Sequence, residues 1–267
     1  MYRMITIDVD DTLLTDQMTV SEETKHALAM AINEGVTITL ATGRMFASAR
    51  QIASQVKLNV PLITYQGSLV KNLLDERILY ERAVPGNISS FLFDYAKKHG
   101  FHLQAYYNDQ LVGVKENEKL RKYSAVSKVP FFIQSEAEIL SHPLTKLLFF
   151  EEPDVLNTMA QDLIKEIGDE VYITKSKPYF LEILHKEGTK GHAVAFLADY
   201  FGCSLDEVIA IGDSWNDREM IETAGLGVAM ENAVPALKEI ADYVTKSNNE
   251  NGVKHVIDKF ILRIPNK

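Results

Sequence analysis

This chain is short of several things that decide where and how a protein works. Cys203 is its only cysteine. That excludes an intrachain disulfide and a cysteine-based zinc site, and points to a reducing, cytoplasmic compartment. No apolar run approaches the length that spans a bilayer, and no basic-then-apolar leader precedes the first strand. The expectation is a soluble chain with no membrane partner. Positive charge is in deficit, since 28 Lys and Arg face 37 Asp and Glu for a net charge of -9. A field of that sign disfavours nucleic acid as a partner, although a local cation can still hold a small phosphorylated molecule. Internal repeats and low-complexity linkers are absent too. What is present, 46% hydrophobic and 24% charged residues over 267 positions, suits a globular chain long enough for two domains.

Periodicity divides the chain into three stretches. In the first, Met4 to Ile7 reads as a buried strand, and Ser21 caps a helix that Gly35 stops. Val36 to Leu40 is a second strand, a helix carries Phe46, Ala49, Ile52, Ala53 and Val56 on one face, and Pro61 to Thr64 is a third strand. This alternation implies a parallel sheet with right-handed crossovers. After about Arg82 the rhythm changes. A helix from about Asn87 to His99 precedes strands at Phe101 to Tyr106 and Leu111 to Val114, turning at Asn108-Asp109. Lys115 to Lys128 reads as a solvated helix. Then come the strand Lys146 to Phe150, the helix Asp154 to Ile167, and the pair Val171–Thr174 and Tyr179–Leu184 around Lys177-Pro178. That order predicts an α+β insert with an antiparallel sheet. From Gly188 the first rhythm returns. The expected fold is α/β, with a discontinuous parallel-sheet core at residues 1–83 and 186–267 and an inserted domain at residues 84–185.

The chemistry collects where strands end. Asp8 and Asp10, two apart on an extended segment, point the same way at the carboxyl end of the first strand. Ligands bind at such ends in open α/β sheets. Neighbouring carboxylates repel and raise one another's pKa unless a cation lies between them. A hard metal ion, acid–base chemistry, or both would answer that geometry. Thr42-Gly43-Arg44 follows the second strand, Asp213 to Asp217 follows the strand Val208 to Ile211, and Gly188-Thr189-Lys190-Gly191 opens a helix. A lysine in a first helical turn opposes the helix dipole, so Lys190 calls for a nearby anion.

In identity, order and spacing these four motifs resemble those of the haloacid dehalogenase superfamily, and within it the Cof-type phosphatases with a large cap inserted after the second motif. The resemblance spans essentially the whole chain. It implies a Rossmann-like core, an α+β cap and a magnesium-dependent phosphatase acting through an aspartyl-phosphate. Its substrates would be sugar phosphates, nucleotides or phosphorylated cofactors such as FMN or pyridoxal phosphate. By the same resemblance Asp8 is the nucleophile and Asp10 the general acid and base, a role that asks for a raised pKa. Mg2+ would be held by the side chains of Asp8 and Asp213 and the backbone carbonyl of Asp10, an oxygen-only set suited to a hard cation. Asn216 and Asp217 match orienting positions, with Asn216 also placed at the phosphate and Asp217 near the metal through water.

Thr42, the Gly43 N–H and Lys190 would bind the phosphoryl group. Arg44 would pair with a cap carboxylate or face solvent. Gln66 stands where relatives often carry asparagine, a possible substrate contact. Asp11 replaces a common glycine and is expected to cap the turn pointing away from the site, while Thr12 braces the loop through backbone hydrogen bonds. Trp215 is assigned to packing, Cys203 to a structural thiol, and His185 and His192 to packing or surface. Glu182 and the Tyr106-Tyr107 pair are guesses for cap contacts. A phosphohexomutase is the nearest rival. A non-catalytic binding protein on the same scaffold ranks lower, because Asp8, Asp10 and Lys190 are all present.

Overall fold

A computed structural model describes residues 1–264; residues 265–267 of the expected core segment lie outside the described residues. The chain begins β1 (Met4–Ile7), α1 (Glu22–Asn33), β2 (Thr37–Leu40), α2 (Phe46–Gln55), β3 (Leu62–Thr64), β4 (Leu69–Lys71) and β5 (Ile78–Glu81). It continues α3 (Gly86–His99), β6 (Leu103–Tyr107), β7 (Gln110–Gly113), α4 (Glu118–Ser127), β8 (Phe131–Ile133) and α5 (Glu136–Leu140). Then follow β9 (Lys146–Phe150), α6 (Pro153–Ile167), β10 (Val171–Lys177), β11 (Phe180–His185) and α7 (Lys190–Tyr200). The last stretch is β12 (Val208–Gly212), α8 (Arg218–Thr223), β13 (Leu226–Ala229), α9 (Pro235–Ile240), β14 (Tyr243–Val244) and α10 (Gly252–Phe260).

Five strands form a wholly parallel sheet in the order β14-β13-β12-β1-β2. Every residue of β1 is buried, as an inner strand covered on both faces requires. Ile7 is level with Ile211 on one side and Leu40 on the other. That register alone brings Asp8, Thr42 and Asp213 to one edge.

The third expected strand departs from the parallel rhythm. β3 runs parallel beside the end of β2 through a bridge between Ala41 and Ile63, with the Thr42 N–H donating to the Ile63 carbonyl at 3.0 Å, but it does not extend that ladder. Its other side pairs antiparallel with β4, which pairs with β5 to make a separate three-stranded sheet. The chain reverses between β3 and β4 because Tyr65 and Gln66 both take positive φ, 51° and 60°.

The remaining six strands lie in the order β10-β11-β9-β6-β7-β8. This sheet is antiparallel apart from β8, which runs parallel to β7 after the α4 crossover. Asn108 and Asp109 make the expected hairpin turn with φ of 48° and 57°, the left-handed pair that a tight two-residue turn needs. The β10–β11 turn falls one residue later than expected, because β10 continues to Lys177.

Apolar side chains gather in three clusters. One packs helices and strands from residues 4–73 and 193–257, and a second fills residues 84–183. The third joins the two, with Met45, Tyr65 and Leu69 against Tyr106, Leu120, Leu148 and Phe150. Among the described residues no helix is long and apolar enough to cross a membrane.

Candidate active site

Asp8 continues the β1 ladder, its N–H donating to the Ile211 carbonyl at 2.9 Å. The turn after it carries Asp11 at φ 62°, a conformation that glycine adopts freely and aspartate tolerates. Asp11 does not merely cap that turn. Its carboxylate reaches Lys177 at the end of β10, 2.8 Å away, and joins the two large sheets. Thr12 also departs from expectation, since its hydroxyl donates to Asp213 Oδ1 at 2.7 Å instead of bracing backbone.

Lys190 is fully buried in the first turn of α7. Its ammonium donates to Asp8 Oδ1 at 2.5 Å and to Asp217 Oδ1 at 2.6 Å. The other oxygen of Asp217 accepts the N–H groups of Asp213 and Ser214 at 2.9 and 3.0 Å. Asp8, Asp213 and Asp217 each place a carboxylate oxygen within 4.8 Å of the others. Burial drives the Asp8 carboxyl well up; Lys190 opposes this, while Asp217, Asp213 and Asp10 add to it. Burial and then Asp217 push Asp213 up to about 7, against its Thr12 hydrogen bond. Burial disfavours the Lys190 charge, but Asp217 and Asp8 outweigh it and the lysine pKa rises.

Three carboxylates to one ammonium leave unbalanced negative charge in a buried place. Asp8 Oδ2 and Asp213 Oδ2 accept no hydrogen bond among the described residues. Oxygen-only donors with excess negative charge fit a hard divalent cation.

Asp10 and Arg44 correct two expectations. Arg44 neither pairs with a cap carboxylate nor faces open solvent. It grips Asp10 with both arms, Nε to Oδ2 at 2.8 Å and Nη2 to Oδ1 at 2.5 Å. Burial alone would raise the Asp10 pKa, but the Arg44 hydrogen bonds and charge, then Lys177 and Lys190, hold it below the ordinary value. The raised pKa expected of an acid is therefore not its condition here. The cause is sheet order: β1 and β2 are neighbours, so their carboxyl ends face each other.

Thr42 is buried and accepts the Arg44 N–H at 3.2 Å. It does not cap α2, which starts at Phe46. That helix is capped from the outer sheet, where the Asp109 carboxylate takes the N–H groups of Phe46 and Ala47 at 2.9 and 3.0 Å. At Gly43 a side chain would meet the Gln66 amide at 2.3 Å, and at Gly67, with φ 108°, one would meet the Thr189 carbonyl at 2.1 Å. Both glycines let the Gln66 turn sit between the second motif and the start of α7.

Gln66 is itself buried and engaged at both ends. Its Nε2 donates to Glu182 Oε2 at 2.5 Å, and its Oε1 accepts from Asn216 Nδ2 at 2.8 Å. Glu182 leads to Lys146, which the sequence reading overlooked. Lys146 is 1% exposed. It donates to Glu182 Oε1 at 3.1 Å and to the Gly43 carbonyl at 3.0 Å, and lies over the Tyr106 ring. The available signal was a lone charge at the head of Lys-Leu-Leu-Phe-Phe, an otherwise apolar strand.

Of the remaining guesses, Tyr106 and Tyr107 hydrogen-bond inside the outer sheet, to Gln104 and Gln134. His185 and His192 bond to Glu187 and Thr189 in the turn before and at the start of α7. Cys203 lies partly buried after α7 and is a free thiol. Trp215 does not pack; it is 52% exposed. It lines a cavity of about 480 Å³ together with Asp8, Asp10, Asp213, Arg44 and Asn216. Tyr123, Val126 and Ser127 line it as well, so α4 is not solvated all round.

A buried Asp–Lys–Asp cluster at the carboxyl edge of a parallel sheet, roofed by a second sheet, defines a hydrolase of the haloacid dehalogenase type. A sequence profile of haloacid dehalogenase-like hydrolases matches residues 5–257, and the chain belongs to that family. YxeH of Bacillus subtilis (strain 168) is 34% identical over 270 residues, covering 98% of this chain and 99% of that one. From the same organism, 5-amino-6-(5-phospho-D-ribitylamino)uracil phosphatase YcsE is 32% identical over 265 residues, 97% of this chain and 96% of its own. Among solved structures, TM0651 from Thermotoga maritima matches with a TM-score of 0.84 at 32% identity, covering 100% of this chain and 99% of that one. The chain is a phosphoric monoester hydrolase of this family.

Proposed function

We propose that this phosphatase hydrolyses small phosphorylated metabolites through a covalent phosphoryl intermediate on Asp8. The observation that carries the reading is the buried contact of Lys190 with Asp8, beside Asp213 on the floor of the cavity. Lys190 opposes the upward push of burial on Asp8 and engages one of its oxygens, leaving the other open. The open oxygen attacks phosphorus, the bond to the leaving alcohol breaks, and Asp10 supplies the proton that alcohol needs. Water then attacks the phospho-enzyme, gives its proton to Asp10, and releases phosphate and the original Asp8. The pairing with Arg44 suits the second half, where Asp10 must accept a proton; donating one requires a carboxyl released from Arg44.

The Thr42 hydroxyl, the Gly43 N–H and Lys190 would hold the phosphoryl oxygens. Asn216, engaged by Gln66, would act by fixing that turn. Magnesium, held by Asp8, Asp213 and the Asp10 backbone carbonyl, would let an anionic nucleophile approach an anionic ester. Asp217, already committed to Lys190 and two N–H groups, would position the lysine. Residues 84–185 would form the cap that excludes water and chooses the leaving group, over a core of residues 1–83 and 186–267. YcsE, named for a phosphorylated ribitylaminouracil, supports small phosphorylated cofactor precursors as one substrate class. A cytoplasmic location rests on the single cysteine.

The test is Asp8→Asn assayed on p-nitrophenyl phosphate with magnesium. Turnover should disappear; turnover near that of the unaltered enzyme would rule out the covalent route.

A further inference from the structure

Much of the cavity lining is apolar, where a polyol would need partners. Trp215, Met18, Met45, Val126, Val129 and Phe180 line it. Trp215 is more than half exposed and Val126 more so, at 73%, although both belong to a concave site. Large apolar side chains left open inside a cavity mark a surface that a ligand covers. No aromatic partner takes the Trp215 ring among the described residues. Several polar groups of the lining already hold a partner within the protein. Ser48 accepts from Arg44 at 3.3 Å, Ser127 donates to the Tyr123 carbonyl at 2.7 Å, Ser176 donates to Glu182 at 3.0 Å, and Lys177 pairs with Asp11 at 2.8 Å. A sugar's hydroxyls set against those apolar side chains would lose water without regaining hydrogen bonds, which costs free energy for each group. A flat ring loses little and gains stacking and buried area.

From this we infer that the leaving alcohol of the natural substrate carries a planar heteroaromatic ring, seated against Trp215 with the phosphate at Asp8 and Lys190. The inference rests on the phosphatase reading above and narrows it. The cavity volume of about 480 Å³ lies within the ~300–1,000 Å³ of small-molecule sites, enough for a ring as well as its phosphorylated arm. Trp215 sits two residues beyond Asp213 and both line the cavity, so one turn presents a carboxylate and an indole to the same ligand. Specificity and chemistry are then set by one short segment.

Two substrate pairs, each differing by the ring, test this with magnesium present: uridine 5′-phosphate against ribose 5-phosphate, and riboflavin 5′-phosphate against ribitol 5-phosphate. The ring-bearing member of at least one pair should show kcat/KM higher by about fivefold or more, the lower range of base–aromatic stacking. Trp215→Ala should shrink that ratio, and Trp215→Tyr should keep most of it. A binding readout runs in parallel. Trp215 is the only tryptophan in the chain, so its fluorescence in the Asp8→Asn protein should be quenched by uridine 5′-phosphate and not by ribose 5-phosphate. Ring-free esters equal or better in both pairs would overturn the inference while leaving the phosphatase intact. A ratio indifferent to Trp215→Ala, or fluorescence unmoved by uridine 5′-phosphate, would overturn it too. If none of the four esters nor p-nitrophenyl phosphate releases phosphate, the phosphatase reading falls and takes the inference with it.

Discussion

Lys146 and Glu182 form an ion pair at 3.1 Å with both side chains withdrawn from solvent. Each also reaches from the six-stranded sheet to a loop of the other cluster of elements, Lys146 to the Gly43 carbonyl after β2 and Glu182 to the Gln66 amide between β3 and β4. Burial disfavours the Lys146 charge, and Glu182 more than offsets it. Removing one partner leaves the other charged and buried, which costs about 3–5 kcal/mol. Lys146→Met should therefore destabilise the protein by about that much in urea unfolding. The double variant Lys146→Met/Glu182→Leu should recover a good part of the loss. An equal or larger loss in the double variant would show that the pair contributes through its hydrogen bonds to the core and not through paired charge.

Lys190→Met should act on turnover more than on substrate affinity. The ammonium sits against Asp8, the proposed nucleophile, where charge would rearrange during the reaction. Loss of such a group costs on the order of 10²–10³ in kcat. Steady-state kinetics on p-nitrophenyl phosphate reads this directly, and a change confined to KM would contradict the placement.

The acid cluster makes stability depend on pH in an unusual direction. Asp213 has its pKa pushed from 3.8 up to about 7 in the metal-free fold, chiefly by burial and Asp217. A carboxyl raised on folding binds its proton more tightly in the folded state. Its contribution is full below the ordinary carboxylate pKa and is lost as pH climbs toward about 7. Metal-free protein should thus lose Tm between about pH 4 and pH 7 from this group. Added magnesium should raise Tm far more at pH 7.5 than at pH 5, because protons compete for the same oxygens. Thermal melts at both pH values, with and without the ion, decide it.

Arg44→Ala should move a kinetic pKa. The guanidinium holds Asp10 below its ordinary value against the upward push of burial. Without it that carboxyl titrates higher; because Asp10 must be protonated to release the alcohol, the basic limb of the kcat/KM profile should shift to higher pH. An unmoved limb would assign that limb to another group.

How far the sequence carries depends on what sets each contact. Asp8, Thr42 and Asp213 meet because they follow strands whose carboxyl ends are level in a parallel sheet, and motif order discloses that much. Lys190 joins them because a lysine opposing a helix dipole needs an anion, a conflict visible in the chain itself. The Asp10–Arg44 pair was missed because side-chain direction across neighbouring strands is a rotamer choice that spacing does not specify. The burial of Lys146 depends on Glu182, on a strand paired beside its own, and a single segment gives no sign of it. The escape of β3 into another sheet turns on two left-handed residues, Tyr65 and Gln66, neither of them the glycine that would have announced it. β8 is three residues long at a sheet edge, with Phe132 and Ile133 exposed, too brief to show alternation.

The central place of β1 has a consequence for how the polypeptide is made. Its two flanking partners are β2, synthesised almost at once, and β12, which leaves the ribosome only after all six strands of the outer sheet. Until then the nascent chain carries one flank of β1 unpaired, an open edge of the kind that recruits other chains. The outer sheet draws all its strands from one contiguous stretch, so it can mature during translation. It would then stand folded beside a parallel sheet still waiting for β12, β13 and β14.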